Sequence, residues 1–149
     1  MKTVLFAVAV VGVLVGGSAQ AQFAKPEDAV KYRQSAMALI GNHMGRINGQ
    51  LKSEKPNTQV IQSSAALVET LSKLPFEAFV AGTESVANTK AKPELFKDTA
   101  KVKELAEKMQ AEVAKLSTAA TGGDVKAVRA QFGEVGQVCK ACHDDYRAK

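Results

Sequence analysis

Reactive side chains are scarce in this sequence: 149 residues include only two cysteines and two histidines. No constellation of acid, base and nucleophile can be assembled from them, so no enzyme is predicted. Runs of like charge are also missing, which leaves no footprint for nucleic acid. The apolar run Val4 to Val15 is too short to cross about 30 Å of hydrocarbon as a helix. A convincing strand alternation is lacking throughout.

What is present divides at residue 21. Lys2 supplies a positive n-region, "VLFAVAVVGVLV" an apolar h-region and "SAQA" an A-x-A cleavage signal, so residues 1–21 are expected to be a cleaved secretory signal peptide. Removing Lys2 leaves 19 of the 20 Lys and Arg residues against 15 Asp and Glu, and the formal net charge falls from +5 to +4. Export into the periplasm with no membrane insertion after cleavage is the expectation. Residues 22–149, with a chain that is 46% hydrophobic, suit one globular domain.

That domain reads as four helices. "KPEDAV" opens the first, with Pro26 at a first-turn position and Glu27 and Asp28 on the positive helix end. Its stripe runs Val30, Met37, Ile40, Met44, Ile47 and Leu51. Thr58 is expected to cap a second helix, which ends before Pro75. A third begins near Pro93 and stops at Gly122 and Gly123, and Asp124 caps the fourth. Val125, Val128, Phe132, Val135, Cys139, Cys142 and Tyr146 alternate spacings of three and four. The fold class expected is all-α, an antiparallel four-helix bundle. The connection from Pro75 to Lys92 is long for a bundle and carries Phe76 and Phe79, which suggests a loop that encloses a ligand. Lys97, Lys101, Lys103, Lys108 and Lys115 spread positive charge along the third helix.

Both cysteines and one histidine crowd into "QVCKACHDDYR", Gln137 to Arg147. On a helix, Cys139, Cys142 and His143 share nearly one face. A disulfide closing so small a loop restrains almost nothing. A thioredoxin-like pair needs a βαβ context that is absent, and a zinc site needs a fourth ligand that only His43 or scattered carboxylates offer. Cysteines acting as small buried hydrophobes are the bland alternative. C-x-x-C-H is the attachment signature of c-type haem: Cys139 and Cys142 form thioethers to the porphyrin edge and His143 ligates iron.

"VGQVCKACHDDYRAK", "AVKYRQSAM" and "LPFEAFVAGTE" together resemble the cytochrome c′ family, across essentially the whole chain from Gln22. The resemblance implies a periplasmic four-helix bundle with one covalent haem c, and a homodimer packed through its first two helices. It further implies binding of small gases such as nitric oxide and carbon monoxide, and electron exchange with a periplasmic redox partner. By the same resemblance Cys139 and Cys142 are the thioether cysteines and His143 the axial iron ligand. Arg147 is then the arginine four residues beyond that histidine, Arg33 lies near a haem propionate, and Met37 faces the other side of the iron.

Met37 has two readings. As core filler it crowds an open, high-spin, five-coordinate iron; as a sixth ligand it makes a low-spin electron carrier. A methionine-lined pocket offers no strong donor to bound oxygen and so favours less polar gases. His43 is expected to be exposed or lightly packed, and Tyr32 and Tyr146 to sit at bundle boundaries.

Overall fold

Pro26 stands at the start of α1 (Pro26–Lys52), where a missing N–H costs no helical hydrogen bond, and Glu27 and Asp28 follow in the first turn. The computed structural model describes residues 22–149; the expected signal peptide lies outside the described residues. The buried positions of α1 are Ala29, Val30, Arg33, Ala36, Ile40, Ile47 and Leu51, one face at three-and-four spacing. Met37 and Met44 lie at the edge of that face, half-buried.

The second helix, α2 (Thr58–Leu71), is capped one residue earlier than expected. The Asn57 side chain accepts from the N–H groups of Gln59 at 3.0 Å and Val60 at 3.1 Å, so Thr58 is the first helical residue rather than the cap. The long connection that follows holds two single-turn helices, α3 (Leu74–Glu77) and α4 (Glu94–Lys97). The third long helix, α5 (Thr99–Thr121), therefore starts after Asp98 and not at Pro93, because Asp98 (φ −87°, ψ 42°) breaks the helical path between α4 and α5. Gly123, with φ +73°, turns the chain after α5 in a conformation that favours glycine. Asp124 then caps α6 (Val125–Tyr146) as expected, accepting from Lys126 N–H at 2.8 Å and Ala127 N–H at 3.3 Å.

Among the described residues the four long helices form a bundle in which α1 packs on α2, α2 on α5 and α5 on α6. Ile47, Ile61, Val68, Val113, Leu116, Val128 and Val135 fill the core, each at most 1% exposed. Each such side chain contributes roughly 1.5–3 kcal/mol by leaving water. Arg129 of α6 donates to the Leu51 carbonyl, tying the last helix to the end of the first. A second, smaller core of Leu95, Val102, Leu105 and Tyr146 fills the other end, with Phe79, Ala91, Phe96 and Cys142 packed against it. The loop thus joins a hydrophobic core through its aromatic residues instead of lying free on the surface.

Leu116→Ala is expected to cost about 2–5 kcal/mol, because a fully buried side chain leaves a cavity. Asn57→Ala should cost about 1 kcal/mol, and Thr58→Ala no more than about half of that. Urea unfolding midpoints measure all three.

Candidate functional site

The two cores meet on α6. Cys139 packs against the larger one, beside residues that also border Met37 and Phe76, while Cys142 packs against the smaller one with Phe79 and Phe96. Both are free thiols, half-buried. His143, one residue on from Cys142, is exposed. The imidazole opens on a depression of about 320 Å³ that it shares with Lys90, Arg147, Ala148 and Lys149. Arg147 follows the end of α6 and is exposed, its N–H donating to the His143 carbonyl at 3.1 Å.

Partial burial and neighbouring charges shift the protonation of the three groups. Burial pushes the Cys139 thiol up, with the neighbouring Cys142 adding to the effect, and pushes the Cys142 thiol up with help from Asp145. It lowers the His143 imidazole, as does the Arg147 cation, against a smaller opposing pull from Asp144. The site therefore holds two thiols in their protonated form and favours the neutral imidazole, the form that ligates a metal. No group of three or more His, Cys, Asp and Glu among the described residues can hold a metal ion on its own, which removes the zinc alternative. The thioredoxin-like alternative also fails, since the β structure among these residues is a single bridge between Ala91 and Arg147.

Next to Cys142 the smaller core opens into a cavity of about 710 Å³, whose walls include Phe76, Phe79, Leu95, Phe96, Val102 and Ala106. Glu84 also lines it and has a buried carboxylate oxygen, Oε2, without a hydrogen-bond partner. Two thiols and an imidazole of c-type spacing are the donors that haem c requires. Neither cysteine lines this hollow and His143 opens on the other depression; what ties the hollow to α6 is the smaller core, against which Cys142, Phe79 and Phe96 all pack. Phe79 belongs to this wall.

Arg33 lies on the buried face of α1. It is 3% exposed, and its terminal nitrogens donate into residues 78–89 of the loop. His43 is half-buried, with Nδ1 3.5 Å from Ser64 Oγ on α2. Tyr32 donates to Glu77 Oε2 at 3.1 Å. Tyr146, 6% exposed, donates to Asp98 Oδ2 at 3.2 Å. Sequence reasoning missed Thr83, Thr89 and Lys92, which bind Arg33 and the end of α6; their partners lie 50 residues or more away along the chain, and no local pattern announces them.

A bundle of four long helices that bears C-x-x-C-H on its last helix, beside an apolar hollow, has the architecture of a helical cytochrome. Comparison with known proteins makes this specific. A family model described as cytochrome C′ matches residues 28–147. The chain is 47% identical to a cytochrome c′ of Alcaligenes xylosoxydans xylosoxydans over 129 residues, 86% of this chain and 99% of that one. It is 45% identical to the cytochrome c′ of Rubrivivax gelatinosus, over 86% of this chain and all of that one. The nitric oxide complex of a leucine-to-alanine variant of cytochrome c prime from Alcaligenes xylosoxidans superposes with a TM-score of 0.79 at 46% identity, over 86% of this chain and 99% of that one. The chain belongs to the cytochrome c′ family.

The Tyr146 phenol has its pKa raised, chiefly by burial and then by its bond to Asp98. The folded chain thus keeps this proton to higher pH than the unfolded one. Its contribution is complete below the ordinary tyrosine value of about 10 and is lost as pH climbs through the folded value. Tyr146→Phe is expected to reduce the fall in stability as pH rises above about 10, read as urea midpoints.

Proposed function

We propose that this chain is an exported c-type haem protein that binds nitric oxide and carbon monoxide at a five-coordinate iron. The observation that carries the reading is the C-x-x-C-H spacing of two free, half-buried thiols and one imidazole on α6, with Cys142 packed against the same small core as the cavity walls Phe79 and Phe96. Cys139 and Cys142 would hold haem c as thioethers, and His143 would be its axial ligand. Bound there, haem supplies an iron that takes up diatomic gases and exchanges electrons. The solved nitric oxide complex of a family member supports the choice of ligand.

The chain's own residues set the selectivity. Met37 is half-buried on the larger core and carries no hydrogen-bond donor, so it crowds a ligand without stabilising a polar one such as oxygen. Phe76, Phe79 and Phe96 line the hollow with apolar surface. No enzymatic step is proposed. Export rests on the "VLFAVAVVGVLV" and "SAQA" segments of residues 1–21. Among the described residues no helix is long and apolar enough to cross a membrane.

A second copy of the chain is proposed to cover α1 and α2. Leu39 is 50% exposed on the first and Leu67 45% exposed on the second. Open space lies above Gly41, Gly45 and Gly49, spaced four apart along α1, so another backbone can approach closely there.

Two measurements follow. The oxidised protein should show the optical spectrum of high-spin iron without a sulfur-to-iron charge-transfer band, and Met37→Ala should leave the spin state unchanged while raising the nitric oxide and carbon monoxide association rates. A charge-transfer band lost in Met37→Ala would instead make Met37 the sixth ligand of an electron carrier. In sedimentation equilibrium, Leu67→Asp should weaken the dimer by about tenfold to a hundredfold, the worth of one buried leucine.

A further inference from the structure

Burying a guanidinium requires acceptors for its hydrogens, and Arg33 draws all of its own from one stretch of loop. Nη1 donates to the Ala78 carbonyl at 2.8 Å and to Thr83 Oγ1 at 2.7 Å; Nη2 donates to the Thr83 carbonyl at 3.2 Å and to Thr89 Oγ1 at 2.8 Å. These four acceptors match the four hydrogens on the two terminal nitrogens. The charge also lies 4.9 Å from the Phe79 ring centroid and 5.6 Å from that of Phe96, both walls of the cavity. Thr83 is fully buried, and its own hydroxyl hydrogen goes to the Val80 carbonyl at 2.7 Å, which orients its oxygen to accept from Arg33.

The bonding continues past Thr89 without a break. Thr89 Oγ1 also accepts from Ala91 N–H at 3.2 Å, and Ala91 stands opposite Arg147 in the antiparallel bridge. On either side of it, Lys92 N–H donates to the Tyr146 carbonyl at 2.9 Å and Ala148 N–H to the Lys90 carbonyl at 2.8 Å. The Lys92 ammonium donates to the carbonyls of Asp144 at 3.2 Å and Asp145 at 2.8 Å, which lie in the last turn of α6 where carbonyls lack helical partners. Gln34, next to Arg33, donates to the Asn88 carbonyl at 2.7 Å.

We propose that Arg33 is a positioning residue: it fastens the loop from Ala78 to Ala91 onto α1 as a strap that fixes both the cavity wall and the residues following His143. Lysine cannot replace it, because one ammonium cannot span acceptors that two nitrogens reach.

Hydrogen exchange read by mass spectrometry on the purified, pigmented protein tests the strap. Thr89→Val removes one acceptor and the link to Ala91 while leaving the Arg33 charge untouched; Arg33→Lys keeps the charge and loses the fork. Both are expected to speed exchange about fivefold or more in peptides covering 78–91 and 144–149, with α2 and α5 unchanged. Exchange unchanged in Thr89→Val would overturn the proposal. So would a uniform acceleration across all four long helices, which would mark Arg33 and Thr89 as ordinary core residues. The readout comes from backbone amides whether or not the chain carries haem, so failure here is distinct from failure of the haem reading.

Discussion

An α-helix turns by about 100° per residue, and this one constraint organises the functional end of the molecule. Spacings of three and one along α6 set Cys139 against the larger core, Cys142 against the smaller core and His143 into solvent. The sulfurs are half-buried, which raises their thiol pKa values, while the imidazole keeps an open side. A flat prosthetic group held by those residues would have its edge fixed by α6, next to the smaller core that the apolar hollow shares. The helix can act as such a rail because the bundle core holds it in register through Val128, Val135 and Val138.

The second demand is electrostatic. A cation that is 3% exposed has lost most of its hydration, and burial indeed lowers the pKa of Arg33 despite the opposing field of Glu84. Such a charge is tolerable only when its hydrogens are accepted, and removing acceptors is costly. This explains how a connection of some twenty residues stays ordered without long secondary structure. The chain from Ala78 to Ala91 supplies the acceptors, and its cooperation with the Arg33 fork makes it a wall of the cavity.

Much of this was legible from residue order. Alternation of threes and fours from Val125 to Tyr146 gave the last helix, and Asp124 announced its cap because an N-terminal carboxylate next to free N–H groups has few other uses. C-x-x-C-H marked the site from five adjacent residues. Other features resisted for physical reasons. Asn57 and Thr58 are both good caps in adjacent positions, and only backbone geometry decides between them. The single-turn helices α3 and α4 are too short for a period to register. Thr83 and Thr89, among the loop acceptors of Arg33, lie 50 and 56 residues away and are invisible to local pattern.

The account stands on a covalent bond between α6 and a porphyrin. The most direct test treats the protein, expressed with a working haem-ligation apparatus, with acidified organic solvent and then analyses the tryptic peptide containing Cys139, Cys142 and His143 by mass spectrometry. The account predicts that pigment stays with the protein and that this peptide carries one haem through both sulfurs. Pigment released into the solvent, or a peptide with two unmodified thiols, would contradict it.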